Sequence, residues 1–224
     1  MATARAAFGA SGGRYVVFDH ALAPALLPLL QLVVATEGAF DDNLKLASRA
    51  YALKPAGATG PRGAVDAKTF AAAPASDRFI HQQRLVGPKP GYEHGAGVKA
   101  EAFVRQMLRS GAMHEWLGAV TGCEIGKTGG INLKLHGPGH FLTAHSDARE
   151  GRQVCAVIYL HQHWQEDYGG HFVLLGSDGT EQRIAPLPNR MILFAANDEN
   201  YHAIDPLGEV PDGWLRVNYT VWFG

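Results

Sequence analysis

The hydrophobic pattern changes period partway along the chain. In the first part, Phe103, Val104, Met107 and Leu108 recur at helical spacing, predicting a helix from Val98 to about Arg109. A second helical stretch, Ala112 to Val120, follows Gly111. Upstream, Arg14 to Phe18 has the β-branched, apolar character of a short strand. Asp19 stands where it could cap a helix carrying the apolar run to about Thr36. Met1 to Gly13 is small and Gly/Ala-rich, which predicts a frayed tail. From about Lys54 to Ser76 the residues are Ala, Gly and Pro with little periodicity, predicting a long loop, either a lid or a disordered segment.

Beyond Gly130 the helical period gives way to short apolar runs. These are Ile131–Leu135, Val154–Leu160, Phe172–Leu175, Met191–Ala195 and Leu215–Phe223, separated by Gly, Pro, Asn and Asp. Such punctuation predicts an antiparallel sandwich or barrel. The last run alternates: Leu215, Val217, Tyr219, Val221 and Phe223 share one face, and Arg216, Asn218, Thr220 and Trp222 the other. The apolar face belongs in the core. The polar face, ending in Trp222, suits the wall of a ligand cavity. The expected organisation is a single domain over 1–224, with 1–130 as helical support and loops and 131–224 as a β-core that holds the chemistry.

Composition adds exclusions. At 224 residues the chain can bury a proper core. A formal net charge of -1 gives no electrostatic case for nucleic acid or an anionic membrane as partner. The apolar run from Ala21 to Ala35 is interrupted by Pro24 and Pro28, lacks a basic leader directly in front, and is too short to span a bilayer. Cys123 and Cys155 do not make a disulfide framework; free thiols in a reducing, cytoplasmic setting are expected. The histidines, by contrast, crowd into the C-terminal half.

Two of the residues there have a spacing with chemical meaning. His145 and Asp147 are two residues apart, so on an extended chain both side chains point the same way. One imidazole and one carboxylate are two thirds of a facial triad, which holds Fe(II) from one side and leaves the opposite positions open. His202, after the Met191–Ala195 run, is the best candidate for the third ligand; His136, His140, His161, His163 and His171 are its rivals. A His-x-Asp pair alone also fits a surface turn. Arg216 is the only basic residue downstream of His202 and could grip a carboxylate through two parallel hydrogen bonds. Its plain alternative is a solvent-facing arginine on an edge strand.

The order of these features resembles the 2-oxoglutarate/Fe(II) oxygenases, especially their prolyl hydroxylase branch. The resemblance covers Gly137 to Gly224 through HGPGHFLTAHSD, VIYLHQHWQEDYGGHFVLL, IAPLPNRMILFAANDENYHAIDP and RVNYTVWFG, in the family's order. It implies a double-stranded β-helix, a jelly-roll or cupin-like barrel, supported by N-terminal helices. It implies iron on His145, Asp147 and His202, with Arg216 and the phenol of Tyr159 on the distal carboxylate of 2-oxoglutarate. Thr220 and Trp222 would line the cosubstrate pocket, and Gly169 and Gly170 would form a paired glycine turn. Where relatives often carry a tyrosine before the His-x-Asp motif, this chain has Leu135 and His136, so the inner carboxylate is expected at His136 or Asn132. The interval from His202 to Arg216 is also longer than is common, with an insertion around Gly208 to Gly213.

The implied cofactors are Fe(II), 2-oxoglutarate and O2, with ascorbate as a supporting reductant. The implied activity is hydroxylation of an unactivated C–H bond of a prolyl or other amino-acid-derived substrate, free or within a peptide or protein. Desaturation or cyclisation of a small molecule by the same chemistry is the alternative. Asp147 argues against a halogenase, which needs a non-ligating residue there. Lys134, Arg149 and Trp164 are candidate substrate contacts. From another class, a non-catalytic metal-binding β-barrel or a zinc hydrolase could use the same ligands, although no HExxH motif is present.

Overall fold

A computed structural model describes residues 2–46, 49–53, 64–74 and 78–224. In chain order the elements are α1 (Ala2–Ala10), β1 (Tyr15–Phe18) and α2 (Leu26–Leu32), which runs into a π-helical turn at Val33–Glu37. Then come β2 (Gly38–Leu46), β3 (Arg49–Leu53), β4 (Ala64–Val65), α3 (Ala67–Ala72), β5 (Arg78–Pro88), α4 (Ala96–Leu108) and α5 (Gly111–Thr121). The remaining strands are β6 (Thr128–His136), β7 (Leu142–His145), β8 (Val154–Tyr159), β9 (Phe172–Leu175), β10 (Glu181–Ile184), β11 (Met191–Ala195), β12 (His202–Ile204) and β13 (Arg216–Phe223).

The strands pair in the order β1-β11-β8-β13-β6-β5-β7-β12-β9-β10. Between β5 and β7 the pairing is a single position, Ile80 opposite Leu142, and there the ladder turns from one layer into the other. Side-chain alternation then assigns each face. Val217, Tyr219, Val221 and Phe223 of β13, with Val154, Ala156 and Ile158 of β8 and Leu133 and Leu135 of β6, pack against Leu30, Val104, Leu108, Leu117 and Val120 of the helices. The opposite faces of β8 and β11, carrying Val157, Tyr159, Ile192 and Phe194, meet Leu142 of β7, Phe172 and Leu174 of β9 and Ile204 of β12. This is the expected jelly-roll-like arrangement of two layers with helices on the outside. Its ladder is not closed as a barrel: β1 and β10 end the path.

The N-terminal part differs from its sequence expectation in four places. Met1 lies outside the described residues, and Ala2–Ala10 is a helix, not a frayed tail. Its alanines are good helix formers, and burial of Phe8 against the main core supplies the tertiary contact that a short helix needs. Asp19 caps no helix, because α2 begins only at Leu26; its carboxylate instead takes two hydrogen bonds from Arg190, at 2.7 and 3.0 Å. Of the 54–76 segment, 54–63 and 75–76 lie outside the described residues, so the lid expectation falls largely there. Within it, 64–74 contain β4 and α3, and Asp66 caps α3 by accepting from the Thr69 N–H. Finally, β2 and β5 add a long antiparallel pair to what was expected to be helix and loop. Gln82 and Arg84 of β5 face a cavity, not the apolar core, which erased the alternation that would have announced a strand.

α4 lacks a side-chain cap of its own, since Gly95 precedes it. Glu37, at the end of the π-helical turn, is 7% exposed and accepts the Val98 N–H at 2.8 Å, bringing a carboxylate to the helix N-terminus. A Cβ at Gly95 or Gly97 would come within 3.0 Å of that carboxylate, so both glycines make room for it. Glu37→Ala should therefore lower stability by about 1–2 kcal/mol in urea unfolding. A change below about 0.3 kcal/mol would show that this cap contributes nothing.

A candidate metal centre and an adjoining cavity

β7 and β12 lie side by side with His145 directly opposite His202 in the register, so the hydrogen-bond ladder holds the two imidazoles together. Asp147 follows two residues after His145. One ligand atom from each of His145, Asp147 and His202 lies within 4.8 Å of the others. His202 Nε2 and Asp147 Oδ2 are 3.7 Å apart, and the imidazole centroids 4.3 Å apart. No other such cluster occurs among the described residues. The histidine rivals are elsewhere employed: His161 Nε2 contacts the Pro186 carbonyl at 2.6 Å and His171 pairs with Glu166 and Asp205. His140 takes the Gly137 N–H on Nδ1, and the His163 ring lies tilted against Trp214, centroids 6.4 Å apart.

Each triad side chain is prepared for a metal. His145 Nδ1 lies 2.8 Å from the Thr143 carbonyl and His202 Nδ1 lies 3.5 Å from the Asn200 carbonyl. A carbonyl only accepts, so Nδ1 carries the proton and Nε2 keeps its lone pair. The His202 ring stacks on Phe172 at 5.0 Å and meets Phe194 edge-on at 4.7 Å. Burial, with the neighbouring His145 adding to it, pushes the His202 imidazole down to about 3, so it is neutral at neutral pH. Burial works against ionisation of Asp147, yet His202, His145, the Trp222 indole and Lys134 outweigh it and hold the carboxyl below its usual value. The Trp222 N–H is buried and points near Asp147 without reaching hydrogen-bond geometry. Two imidazole nitrogens and one carboxylate are a donor set that fits ferrous iron.

A cavity of about 450 Å³ opens beside the triad. The inner face of β13 forms one wall with Arg216, Asn218, Thr220 and Trp222, as the alternation predicted. His136 and Asn132 of β6 also line it. Arg216 is 1% exposed. Its Nε donates to the Gly170 carbonyl at 3.0 Å, Nη1 to Asn218 Oδ1 at 2.8 Å and Nη2 to Tyr159 Oη at 3.1 Å. Burial lowers the Arg216 guanidinium from its usual value, and Tyr159 opposes the shift. No carboxylate pairs with it among the described residues, and each Nη retains a second N–H. A buried cation with donors to spare fits an anionic ligand.

The paired glycines make this placement possible. Gly169 and Gly170 have φ of +65° and +70°, and a Cβ on Gly170 would stand 2.8 Å from Leu207 and 3.1 Å from the Arg216 stem. Tyr159 is fully buried, and its phenol accepts from Arg216 Nη2 at 3.1 Å, which places it beside the guanidinium. Lys134 and Arg149 line the cavity. Trp164 does not; its indole donates to the Gly169 carbonyl at 2.9 Å and packs with Tyr168, Leu207 and Trp214 around the 208–213 insertion.

Gln82, Arg84 and Arg152 also line the cavity, and sequence reasoning missed them. Asn218 could have been found, because it shares the Arg216 face of β13. Arg152 had no signal, being a loop residue; it reaches the Asp147 carboxylate at 3.6 Å and lies 4.3 Å over the Trp222 ring. Cys123 and Cys155 are both unpaired thiols, as expected. No helix among the described residues is long and apolar enough to cross a membrane.

Residues 131–224 match the family model of the 2OG-Fe(II) oxygenase superfamily. The mouse (Mus musculus) prolyl 3-hydroxylase OGFOD1 is 24% identical over 114 residues, which are 48% of this chain and 21% of the mouse protein. This chain thus spans about a fifth of that relative's length. Among solved structures, a Trichoplax adhaerens prolyl hydroxylase in complex with a hypoxia inducible factor oxygen degradation domain peptide fragment superposes with a TM-score of 0.65. The superposition is at 15% identity and covers 99% of this chain and 89% of that one. A Pseudomonas putida prolyl-4-hydroxylase gives 0.59 at 19% identity, over 98% and 97% of the two chains. At such identities these structures speak for the fold alone. The part of the chain that matches the 2OG-Fe(II) oxygenase superfamily is thus residues 131–224, which carry the triad and Arg216.

Proposed function

We propose that this protein is an Fe(II)- and 2-oxoglutarate-dependent dioxygenase that hydroxylates an unactivated C–H bond of a prolyl or other amino-acid-derived substrate, free or within a peptide. The observation that carries this reading is one cavity lined both by a His-Asp-His cluster and by a buried arginine that has no carboxylate partner among the described residues. His145, Asp147 and His202 would hold the iron, and Arg216 the distal carboxylate of 2-oxoglutarate. When bound, the iron and cosubstrate supply the oxidising power that breaks a strong C–H bond. The substrate class takes its support from the similar proteins, which are prolyl hydroxylases. On this reading the chain is one catalytic unit acting in the cytoplasm, with ascorbate as a supporting reductant.

The protein's own part is positioning. The Gly170 carbonyl, Asn218 and Tyr159 fix the guanidinium of Arg216 in one orientation, so a carboxylate meets a preorganised fork. Asn218 Nδ2 donates to Thr220 Oγ1 at 3.1 Å, continuing the polar wall towards Trp222. His136 and Asn132 stand on the facing strand, where Arg216 is opposite His136 and Thr220 is opposite Asn132. On this reading they would meet the inner carboxylate of the cosubstrate. Phe172 and Phe194 hold the His202 ring and keep water from that side of the triad. A zinc hydrolase would need a general base beside the metal, and it would leave the buried Arg216 unexplained.

The direct test is succinate release from 2-oxoglutarate by protein supplied with Fe(II) and O2, with mass spectrometry of prolyl peptides for gain of one oxygen atom. Iron-loaded protein that neither binds 2-oxoglutarate nor releases succinate with any peptide or amino acid would end the proposal. Asp147→Ala should abolish turnover and weaken iron retention at least about tenfold, read by equilibrium dialysis; wild-type turnover would remove Asp147 from the ligand set. Arg216→Ala should raise the 2-oxoglutarate concentration required by about tenfold or more, a loss of ~1.4–3 kcal/mol for a charge-assisted pair, while iron still binds. Unchanged cosubstrate affinity would contradict the role given to Arg216.

A further inference from the structure

Resting on the oxygenase reading, we propose that Asn200 and Arg14 are positioning residues for the metal centre: they hold in place the Asn200 carbonyl that orients the His202 imidazole. Both ligand histidines turn Nδ1 towards the carbonyl two residues before them, Thr143 for His145 at 2.8 Å and Asn200 for His202 at 3.5 Å. The two carbonyls are not equally secured. Thr143 lies inside β7, which pairs with β12. Asn200 lies outside any strand, because β12 is three residues long and begins at His202 itself. An acceptor on a connecting segment is held less closely than one on a strand, unless side chains fix it.

The Asn200 side chain supplies that hold. Although polar and on a connecting segment, Asn200 is 2% exposed. Its Nδ2 donates to the Ala195 carbonyl at 2.9 Å and to the Arg14 carbonyl at 3.1 Å, which uses both N–H groups. Its Oδ1 accepts from Arg14 Nε at 3.3 Å. Arg14 Nη2 in turn donates to the Leu175 carbonyl at 2.7 Å, and the Leu175 N–H donates to the Tyr201 carbonyl at 2.9 Å. The Arg14 carbonyl also accepts the Ala195 N–H, at 3.0 Å. The segment leading into His202 is thus tied to the residue before β1 and to the last residues of β9 and β11.

The aromatic neighbours of His202 cannot do this job. Phe172 stacks on the ring at 5.0 Å and Phe194 meets it edge-on at 4.7 Å. A half-turn about the Cβ–Cγ bond leaves an imidazole in the same plane, and apolar contacts do not tell its nitrogens from its carbons. One orientation turns Nε2 towards Asp147, from which it lies 3.7 Å; the other presents a carbon there. A carbonyl facing Nδ1 selects between the two and fixes the proton on Nδ1. At 3.5 Å this contact is longer than its counterpart at His145, so a small shift of Asn200 would lose it.

Equilibrium dialysis of Mn(II) against the full chain separates this role from a purely structural one. Asn200→Ala removes the side-chain clamp and leaves every metal ligand in place. Leu30→Ala is the comparison, a fully buried residue of α2 in the core between helices and sheet. Both variants should melt at a lower temperature. Only Asn200→Ala should weaken Mn(II) binding, by about tenfold or more, as expected for a partner that orients a ligand. A folded Asn200→Ala that binds Mn(II) like the wild type, or a Leu30→Ala that loses it equally, overturns the proposal. Arg14→Gln should act in the same direction by a smaller factor, and unchanged binding there overturns the part given to Arg14. Should the variants not fold, ring-nitrogen NMR of the metal-free wild-type chain decides: His202 should carry its proton on Nδ1, and a proton on Nε2 overturns the clamp. Wild-type protein that binds no divalent metal would sink the oxygenase reading as well; metal binding indifferent to Asn200 sinks this proposal alone.

Discussion

A guanidinium removed from water must be compensated, and in this protein the compensation is incomplete by design of the fold. Arg216 is 1% exposed, and its partners are a carbonyl, an amide oxygen and a phenol, all neutral. Holding an unpaired charge there costs several kcal/mol, which a bound carboxylate would repay. That cost explains why so much of the neighbourhood serves Arg216. The Gly169–Gly170 turn clears space for its stem, Tyr159 is spent behind it, and Asn218 fixes its orientation.

The same strand does two jobs because its side chains alternate. One face of β13 closes the core against the helices, and the other builds the cavity wall from Arg216 to Trp222. Strand pairing then supplies the rest. β12 against β7 puts His202 beside His145, and β6 against β13 puts His136 and Asn132 opposite Arg216 and Thr220. The two histidines of the triad, Arg216 and the residues facing it on β6 are thus fixed by backbone register, the most rigid feature the fold has. Side chains on such elements are held more closely than those on loops.

How much of this could be read from the residues depended on whether a local pattern survived. β13 was legible because its alternation is unbroken, and the His145–Asp147 spacing was legible because two residues suffice to show it. His202 could be ranked above its rivals but not secured, since its partnership with β7 is a matter of register across 57 residues. β5 was invisible: Gln82 and Arg84 face a polar cavity, so the apolar period of a strand never appears. Asp19 was misread as a cap because its partner, Arg190, lies far along the chain. The N-terminal helix was missed because its support comes from tertiary contact through Phe8, not from its own sequence. Tyr159 was legible only through a matching pattern, because nothing in its local sequence shows that its phenol meets Arg216, 57 residues further along the chain.

The central claim is that one cavity takes a metal at His145, Asp147 and His202 and a dicarboxylate at Arg216. A crystal structure of the protein with Mn(II) and 2-oxoglutarate addresses it most directly. The account predicts a metal about 2 Å from both Nε2 atoms and the Asp147 carboxylate, with the distal carboxylate forked on the Arg216 guanidinium. A metal bound elsewhere, or an Arg216 that the cosubstrate does not touch, would contradict it.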